Sequence, residues 1–251
     1  MRLLVTRAEP DATALKAQLI ARGHEVLIEP LLRIEYQPLD DIDLDGVQAL
    51  IATSRNGVRA LAHQPDGTPA SNPLLAPAQT LPLYTVGPGT AATATALGFE
   101  QVIEGPRDAR ALIALIALQA DVNAGPLLYL SGDAPAADVA GELRHLGFHV
   151  LEPVVYATAL ARELSRAVVQ RLGASEIDGV VLLSPQTART YARLILAHGL
   201  RARIGAVRHY CLSPAVAQGL AALAPPLIAA AAHPNLQEVL ALVDRSGPLS
   251  P

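Results

Sequence analysis

An internal repeat constrains this chain more than any other feature. Tyr84-Thr85-Val86-Gly87-Pro88-Gly89-Thr90-Ala91 aligns without a gap to Tyr210-Cys211-Leu212-Ser213-Pro214-Ala215-Val216-Ala217. Leu3-Leu4-Val5, followed by Leu19-Ile20-Ala21-Arg22-Gly23-His24-Glu25-Val26, has the layout of Leu127-Leu128-Tyr129, followed by Leu143-Arg144-His145-Leu146-Gly147-Phe148-His149-Val150. Glu29-Pro30 recurs as Glu152-Pro153, and Asp45-Gly46-Val47 as Asp178-Gly179-Val180. The repeat unit is too long for a solenoid. It implies two similar domains, and 251 residues is a length that two ordinary domains fill.

Within each copy a short apolar run, a turn signal and a helix-period segment alternate. Strands are predicted at Leu3–Thr6, Glu25–Ile34, Val47–Thr53, Leu83–Val86, Gln101–Ile103, Leu127–Leu130, His149–Val155, Gly179–Leu183, His209–Leu212 and Leu227–Ala230. Helices are predicted at Pro10–Arg22, Arg55–Leu61, Gly89–Leu97, Asp108–Leu118, Pro135–Leu146, Gln186–Ala197, Pro214–Leu223 and Asn235–Val243. The alternation predicts an α/β protein with parallel sheets of about five strands, helices on both faces. Residues 63–80 hold Pro65, Pro69, Pro73 and Pro77 and read as a long loop with room for one turn of helix, and 246–251 as a frayed tail.

The order of the copies points to a discontinuous domain. The copy of the opening strand–helix–strand unit comes after the first three strand–helix units. The opening unit is therefore expected to join the end of the chain. Domain 1 becomes 1–36 with 158–251, and domain 2 becomes the insert 37–157. Crossings fall near Tyr36-Gln37-Pro38 and Tyr156-Ala157-Thr158, which predicts a hinge and a cleft. A sequential split near residue 125 needs the same number of strands and stays open at this point.

Composition excludes several chemistries. Net charge is −4, and with two Phe, six Tyr and no Trp there is neither a basic field nor an aromatic platform for nucleic acid. Cys211 is the only cysteine, so the chain has no internal disulfide framework and no Cys-based zinc site. Lys16 is the only lysine, against a phosphate-loop lysine or a Schiff base. His24, His63, His145, His149, His198, His209 and His233 match no metal motif and read as surface residues; Cys211 reads as buried and inert. The first residues are too short an apolar run for a signal peptide, and no run is long enough to span a bilayer. A cytoplasmic protein is expected, with no membrane and no nucleic-acid partner.

Open parallel sheets bind ligands beyond the carboxyl ends of their strands. There lie Thr6-Arg7, Thr53-Ser54-Arg55-Asn56, Gly87-Pro88-Gly89-Thr90, Ser131-Gly132-Asp133, Ser184-Pro185-Gln186-Thr187 and Ser213-Pro214. Each offers hydroxyls and backbone N–H groups to an anion just before a predicted helix, although helix capping explains any one of them alone. Arg7, Arg55, Arg107, Arg110 and Arg189 lie just after strands, and guanidinium groups match carboxylates. A carboxylate-rich ligand fits that surface. The loose G-x-G-x-x-A match at Gly87–Ala92 lies mid-repeat, and its partner lacks both glycines, so it is a weak dinucleotide signal. Tyr156 stands at the predicted junction, where a phenol can exchange a proton or simply pack its ring.

The chain resembles the uroporphyrinogen-III synthase family along nearly its whole length. The matching stretches are Leu4–Arg7, Ala52–Val58, Val86–Ala91, Leu130–Asp133, Val155–Thr158, Leu183–Ala188 and Leu212–Pro214, in that order. The resemblance implies two α/β domains joined by a two-stranded linker, which favours the discontinuous arrangement. It implies a cofactor-free lyase that closes hydroxymethylbilane, a linear tetrapyrrole octacarboxylate, to uroporphyrinogen III with inversion of ring D through a spiro intermediate. A monomer is expected. Tyr156 matches the family's junction tyrosine, a candidate for assisting hydroxyl departure. Substrate binding is expected from Thr6, Arg7, Thr53, Ser54, Gly87, Thr90, Ser131, Gly132, Ser184 and Ser213. The family often has Gly-Pro-x-Thr where this chain has Ser213-Pro214-Ala215-Val216, so a hydroxyl contact is missing at Val216. A two-lobed anion-binding protein without catalysis is the alternative, and a dinucleotide-dependent oxidoreductase a third reading.

Overall fold

A computed structural model describes residues 1–63 and 73–246; Pro65, Pro69 and the tail beyond Ser246 lie outside the described residues. The chain forms two compact units: unit 1 is Met1–Arg33 with Ala159–Pro251, and unit 2 is Ile34–Thr158.

The chain opens with β1 (Arg2–Val5), α1 (Asp11–Ile20), β2 (Glu25–Ile28) and β3 (Leu32–Tyr36). Next come β4 (Ala49–Ala52), α2 (Arg55–Ala60), α3 (Leu75–Gln79), β5 (Leu83–Thr85), α4 (Pro88–Ala96), β6 (Val102–Glu104) and α5 (Ala109–Gln119). They are followed by β7 (Leu127–Tyr129), β8 (Ser131–Gly132), α6 (Val139–His145), β9 (Val150–Leu151) and β10 (Val154–Leu160). The remainder holds α7 (Arg166–Gly173), β11 (Gly179–Leu182), α8 (Pro185–Ala197), β12 (Arg208–Cys211), α9 (Pro214–Gln218), β13 (Ile228–Ala230) and α10 (Leu236–Arg245).

Unit 1 has a five-stranded sheet of order β13-β12-β11-β1-β2, and unit 2 one of order β6-β5-β4-β7-β9. The pairings within both sheets are parallel. Strand for strand, the two orders are the repeat seen in the sequence. The opening unit enters the sheet of the last third of the chain, with Leu3 opposite Gly179 and Val5 opposite Val181. A further three-stranded sheet has order β3-β10-β8.

Each five-stranded sheet is buried on both faces, as parallel sheets covered by helices are. Successive side chains of a strand alternate between the faces. In β1, Leu4 joins one apolar cluster, while Leu3 and Val5 join the other. In β4, Leu50 and Ala52 face one cluster, and Ala49 and Ile51 face the opposite one. The strands read as unbroken apolar runs because neither face meets water.

Several boundaries differ from the sequence reading. The single strands predicted at Glu25–Ile34 and His149–Val155 are each two strands, interrupted at Glu29-Pro30 and Glu152-Pro153. Proline has no N–H for the ladder. In the first copy Glu29 N–H still bonds the Val5 carbonyl at 2.8 Å and Leu31 N–H the Thr6 carbonyl at 3.1 Å, after which the chain leaves the sheet. Helix α7 has no counterpart in the sequence reading. Ser131-Gly132-Asp133 does not precede a helix: Ser131 and Gly132 form β8, and α6 starts only at Val139, capped by Asp138. His209 is fully buried in β12 rather than at the surface. Its strand is an inner one, between β11 and β13, and its two faces are covered, with Cys211 packed among Val216 and Leu220 on one side and Tyr210 among Val239, Leu240 and Val243 on the other.

Candidate active site

The carboxyl ends of the unit 2 strands converge on one cavity of about 310 Å³. Its lining includes Thr53, Ser54, Arg107, Tyr129, Gly132 and Tyr156. β4 delivers Thr53 and Ser54, and Ser54 caps α2 by accepting the Asn56 N–H at 3.2 Å. β7 ends in Tyr129, whose hydroxyl lies 2.8 Å from Thr53 Oγ1. Burial pushes the Tyr129 phenol up, so it stays protonated at neutral pH, with the Thr53 bond opposing the shift. With Tyr129 as donor, the Thr53 O–H is left free to donate into the cavity.

Tyr156 lies on β10 opposite Gly132 of β8, where the register shifts. Its ring rests directly on the Gly132 backbone. A Cβ at residue 132 would stand 2.5 Å from Tyr156 Cζ and 2.7 Å from its hydroxyl oxygen. Only glycine lets the phenol lie there. The segment is pinned on the far side, since Asp133 N–H donates to the Tyr156 carbonyl at 3.0 Å and Asp133 Oδ1 accepts the Thr158 N–H at 3.2 Å.

Arg107 forms part of the rim. Its φ is 77°, in the left-handed region, and its N–H donates to the Val86 carbonyl at 2.7 Å. Gly87 gives its stem room, because a Cβ there would meet Arg107 Cγ at 3.2 Å. Asp108, also on the rim, caps α5 by accepting the Ala111 N–H at 2.8 Å.

Of the residues the sequence singled out, Thr53, Ser54, Arg107, Gly132 and Tyr156 share this cavity. Gly87 borders it through Arg107. Thr90 and Ser131 are buried in unit 2, and the Ser131 hydroxyl donates to the Gly132 carbonyl at 3.1 Å. Thr6, Arg7, Ser184 and Ser213 belong to unit 1, at or near the carboxyl ends of β1, β11 and β12. Thr6 is turned into the sheet and donates to the Val181 carbonyl at 2.8 Å, so a substrate contact there is left to its backbone. Arg7 is paired with Asp11 at 2.7 Å. Ser184 caps α8 through the Thr187 N–H at 3.0 Å, and Ser213 caps α9 through the Val216 N–H at 3.4 Å. Sequence reasoning passed over Tyr129, whose signal was a polar-tipped residue ending an otherwise apolar strand. Among the described residues no His, Cys, Asp and Glu cluster of three or more could hold a metal. No helix among them is long and apolar enough to cross a membrane.

The sequence signature of the family described as "Uroporphyrinogen-III synthase HemD" matches residues 13–241. The chain belongs to the uroporphyrinogen-III synthase family. The family is one of heme-biosynthetic enzymes. The uroporphyrinogen-III synthetase of Helicobacter pylori 26695 has the same fold at 19% identity, with a TM-score of 0.60 over 97% of this chain and 98% of that one. A mutant uroporphyrinogen III synthase of the extremely thermophilic bacterium Thermus thermophilus aligns over 98% of both chains at 17% identity, with a TM-score of 0.49. No curated protein sequence matches the chain.

Proposed function

We propose that this chain converts hydroxymethylbilane into uroporphyrinogen III, acting as a lyase, and that Tyr156 assists departure of the hydroxyl group. Membership of the family, across residues 13–241, is the observation that carries the proposal. The cavity supports it, because it gathers hydroxyl donors and one guanidinium around a phenol.

In the proposed reaction the Tyr156 phenol donates a proton to the departing hydroxyl, which leaves as water. The pyrrole nitrogen supplies the electrons and an azafulvene forms. The substituted carbon of ring D then attacks the new methylene, giving the spiro intermediate. One bond of that intermediate breaks and re-forms at the other side of ring D, and a proton is lost as the inverted macrocycle closes. Unaided closure gives the type I isomer, so holding the ends in the spiro-forming pose is the larger part of catalysis, an effect of orientation. Thr53, Ser54, Gly87, Thr90, Ser131 and Gly132 are the unit 2 candidates for substrate contacts, and Ser184, Ser213, Arg7 and the Thr6 backbone those of unit 1. The reading places the protein in the cytoplasm as a monomer without cofactor.

The test is an isomer assay. The protein is incubated with enzymatically generated hydroxymethylbilane, the products are oxidised, and the isomers are separated. Type III product is expected, and type I product alone would overturn the proposal.

A further inference from the structure

We propose that Arg107 holds a carboxylate of the tetrapyrrole at the mouth of the Tyr156 cavity and is a substrate-binding residue of this protein. The inference rests on the synthase reading for the identity of the ligand, but not for the existence of an anion site. Three observations carry it.

The first is charge. Among the described residues lining the cavity, Arg107 is the only cation. The carboxylate on that rim, Asp108, accepts the Ala111 N–H and caps α5, and no ion pair joins it to Arg107. Arg7, by contrast, is occupied by Asp11 at 2.7 Å, and Arg110 borders a different groove between α5 and α6. The Arg107 side chain is exposed, and among the described residues its donors meet no protein acceptor.

The second is backbone conformation. An unbranched but bulky residue at φ 77° sits where glycine or asparagine is preferred. Nothing in the Arg107 N–H bond to Val86 requires an arginine side chain. A residue kept in a costly conformation beside a site is a pointer to function. The third is fit. Gly87 lacks the side chain that would crowd Arg107 Cγ, so the stem lies along the rim. The cavity, about 310 Å³, has room for one pyrrole with its acidic arms rather than for the whole tetrapyrrole. An arm of that ring then meets the guanidinium with Thr53 and Ser54 nearby. Guanidinium and carboxylate match as a bidentate, charge-assisted pair.

The test uses Arg107→Asn, which suits a positive φ and removes the charge, and Arg107→Lys, which keeps the charge without the fork. Uroporphyrin III, the oxidised octacarboxylate, is titrated by its fluorescence at low and high salt, and KM and kcat are measured with hydroxymethylbilane. R107N is expected to bind uroporphyrin III roughly ten- to hundredfold more weakly, with KM raised to match and a flatter salt dependence. R107K should fall between R107N and the wild type, and the Tm of R107N should be equal to or above that of the wild type. Type III product with binding and KM unaffected in R107N would overturn the Arg107 site. Type I product alone, with uroporphyrin binding that still depends on Arg107, would instead sink the synthase reading and leave the site standing.

Discussion

At the scale of single residues, the close approach of Tyr156 to Gly132 gives the sharpest expectation. Gly132→Ala places a methyl 2.5 Å from the phenol ring, so the ring must move. If Tyr156 assists hydroxyl departure, a displacement of that size should lower kcat about a hundredfold with KM little changed. Tyr156→Phe should do the same while the ring stays in place. Full turnover of the folded phenylalanine variant, measured with hydroxymethylbilane, would remove Tyr156 from the mechanism. A second residue bears on stability. His209 is buried against Tyr191, its Nδ1 lies 3.2 Å from the Leu227 carbonyl, and its Nε2 has no partner among the described residues. Burial pushes its pKa down from 6.5 to about 4. The unfolded chain takes up its proton first as the pH falls. The stabilisation is therefore complete above pH 6.5 and is lost as the pH drops to about 4. By that point the loss is about 3 kcal/mol. Urea unfolding across this range should show the wild type losing that much relative to His209→Gln; parallel pH profiles would refute the assignment. The polarity of histidine masked this burial, although a strand covered by helices on both faces leaves no open side for the ring. Tyr156 and Gly132 were each legible as residues of interest. Their contact was not, since it depends on the register of β8 against β10.

Among the elements, the long apolar strands and the capped helices were legible because their signals are local. Ser54, Ser184, Ser213 and Asn235 each precede a helix they cap, and each predicted boundary there lies at or next to the observed one. Helix α7 escaped for a physical reason. Only Val168 and Leu172 of its residues are buried, and Val168-Val169 is a β-branched pair that suits a strand. Its helicity comes from its cap and its packing. Ser165 Oγ accepts the Val168 N–H at 3.3 Å, and the Ser165 N–H donates to Glu29 Oε1 at 2.6 Å. Glu29 is itself buried, at the point where β2 ends. Ser165→Ala should thus cost about 1 kcal/mol, as loss of a helix cap does. Glu29→Gln should cost at least as much, because it weakens a charge-assisted bond to a backbone donor. Denaturant midpoints read at constant m-value would check both, and a neutral Ser165→Ala would mean that α7 is held by packing alone.

For the molecule as a whole, the repeat in the sequence and the sheet orders in space make one statement: each unit carries its own two-faced core. The clusters on the two faces of the unit 2 sheet draw all their buried residues from Ile34–Thr158. Those of unit 1 draw on both ends of the chain, with Leu3, Leu4, Val5, Leu15, Leu19 and Leu31 packed among residues that follow Leu160. The consequence is an asymmetry under dissection. A fragment of residues 34–158 keeps its whole sheet and should fold cooperatively by itself. A fragment of residues 159–251 keeps β11, β12 and β13 but loses β1, the inner neighbour of β11, together with those six large, fully buried apolar side chains. Burying those six is worth roughly 10 kcal/mol before entropy is counted. That is comparable to the entire stability of an ordinary domain, so the fragment should be largely unfolded alone. Mixing it with residues 1–33 should restore structure, since β1 and β2 then complete the sheet. Circular dichroism and hydrogen exchange on the separate and mixed fragments distinguish the cases. Independent folding of 159–251, or failure of 34–158 to fold, would mean that the discontinuous division is not the one that governs stability.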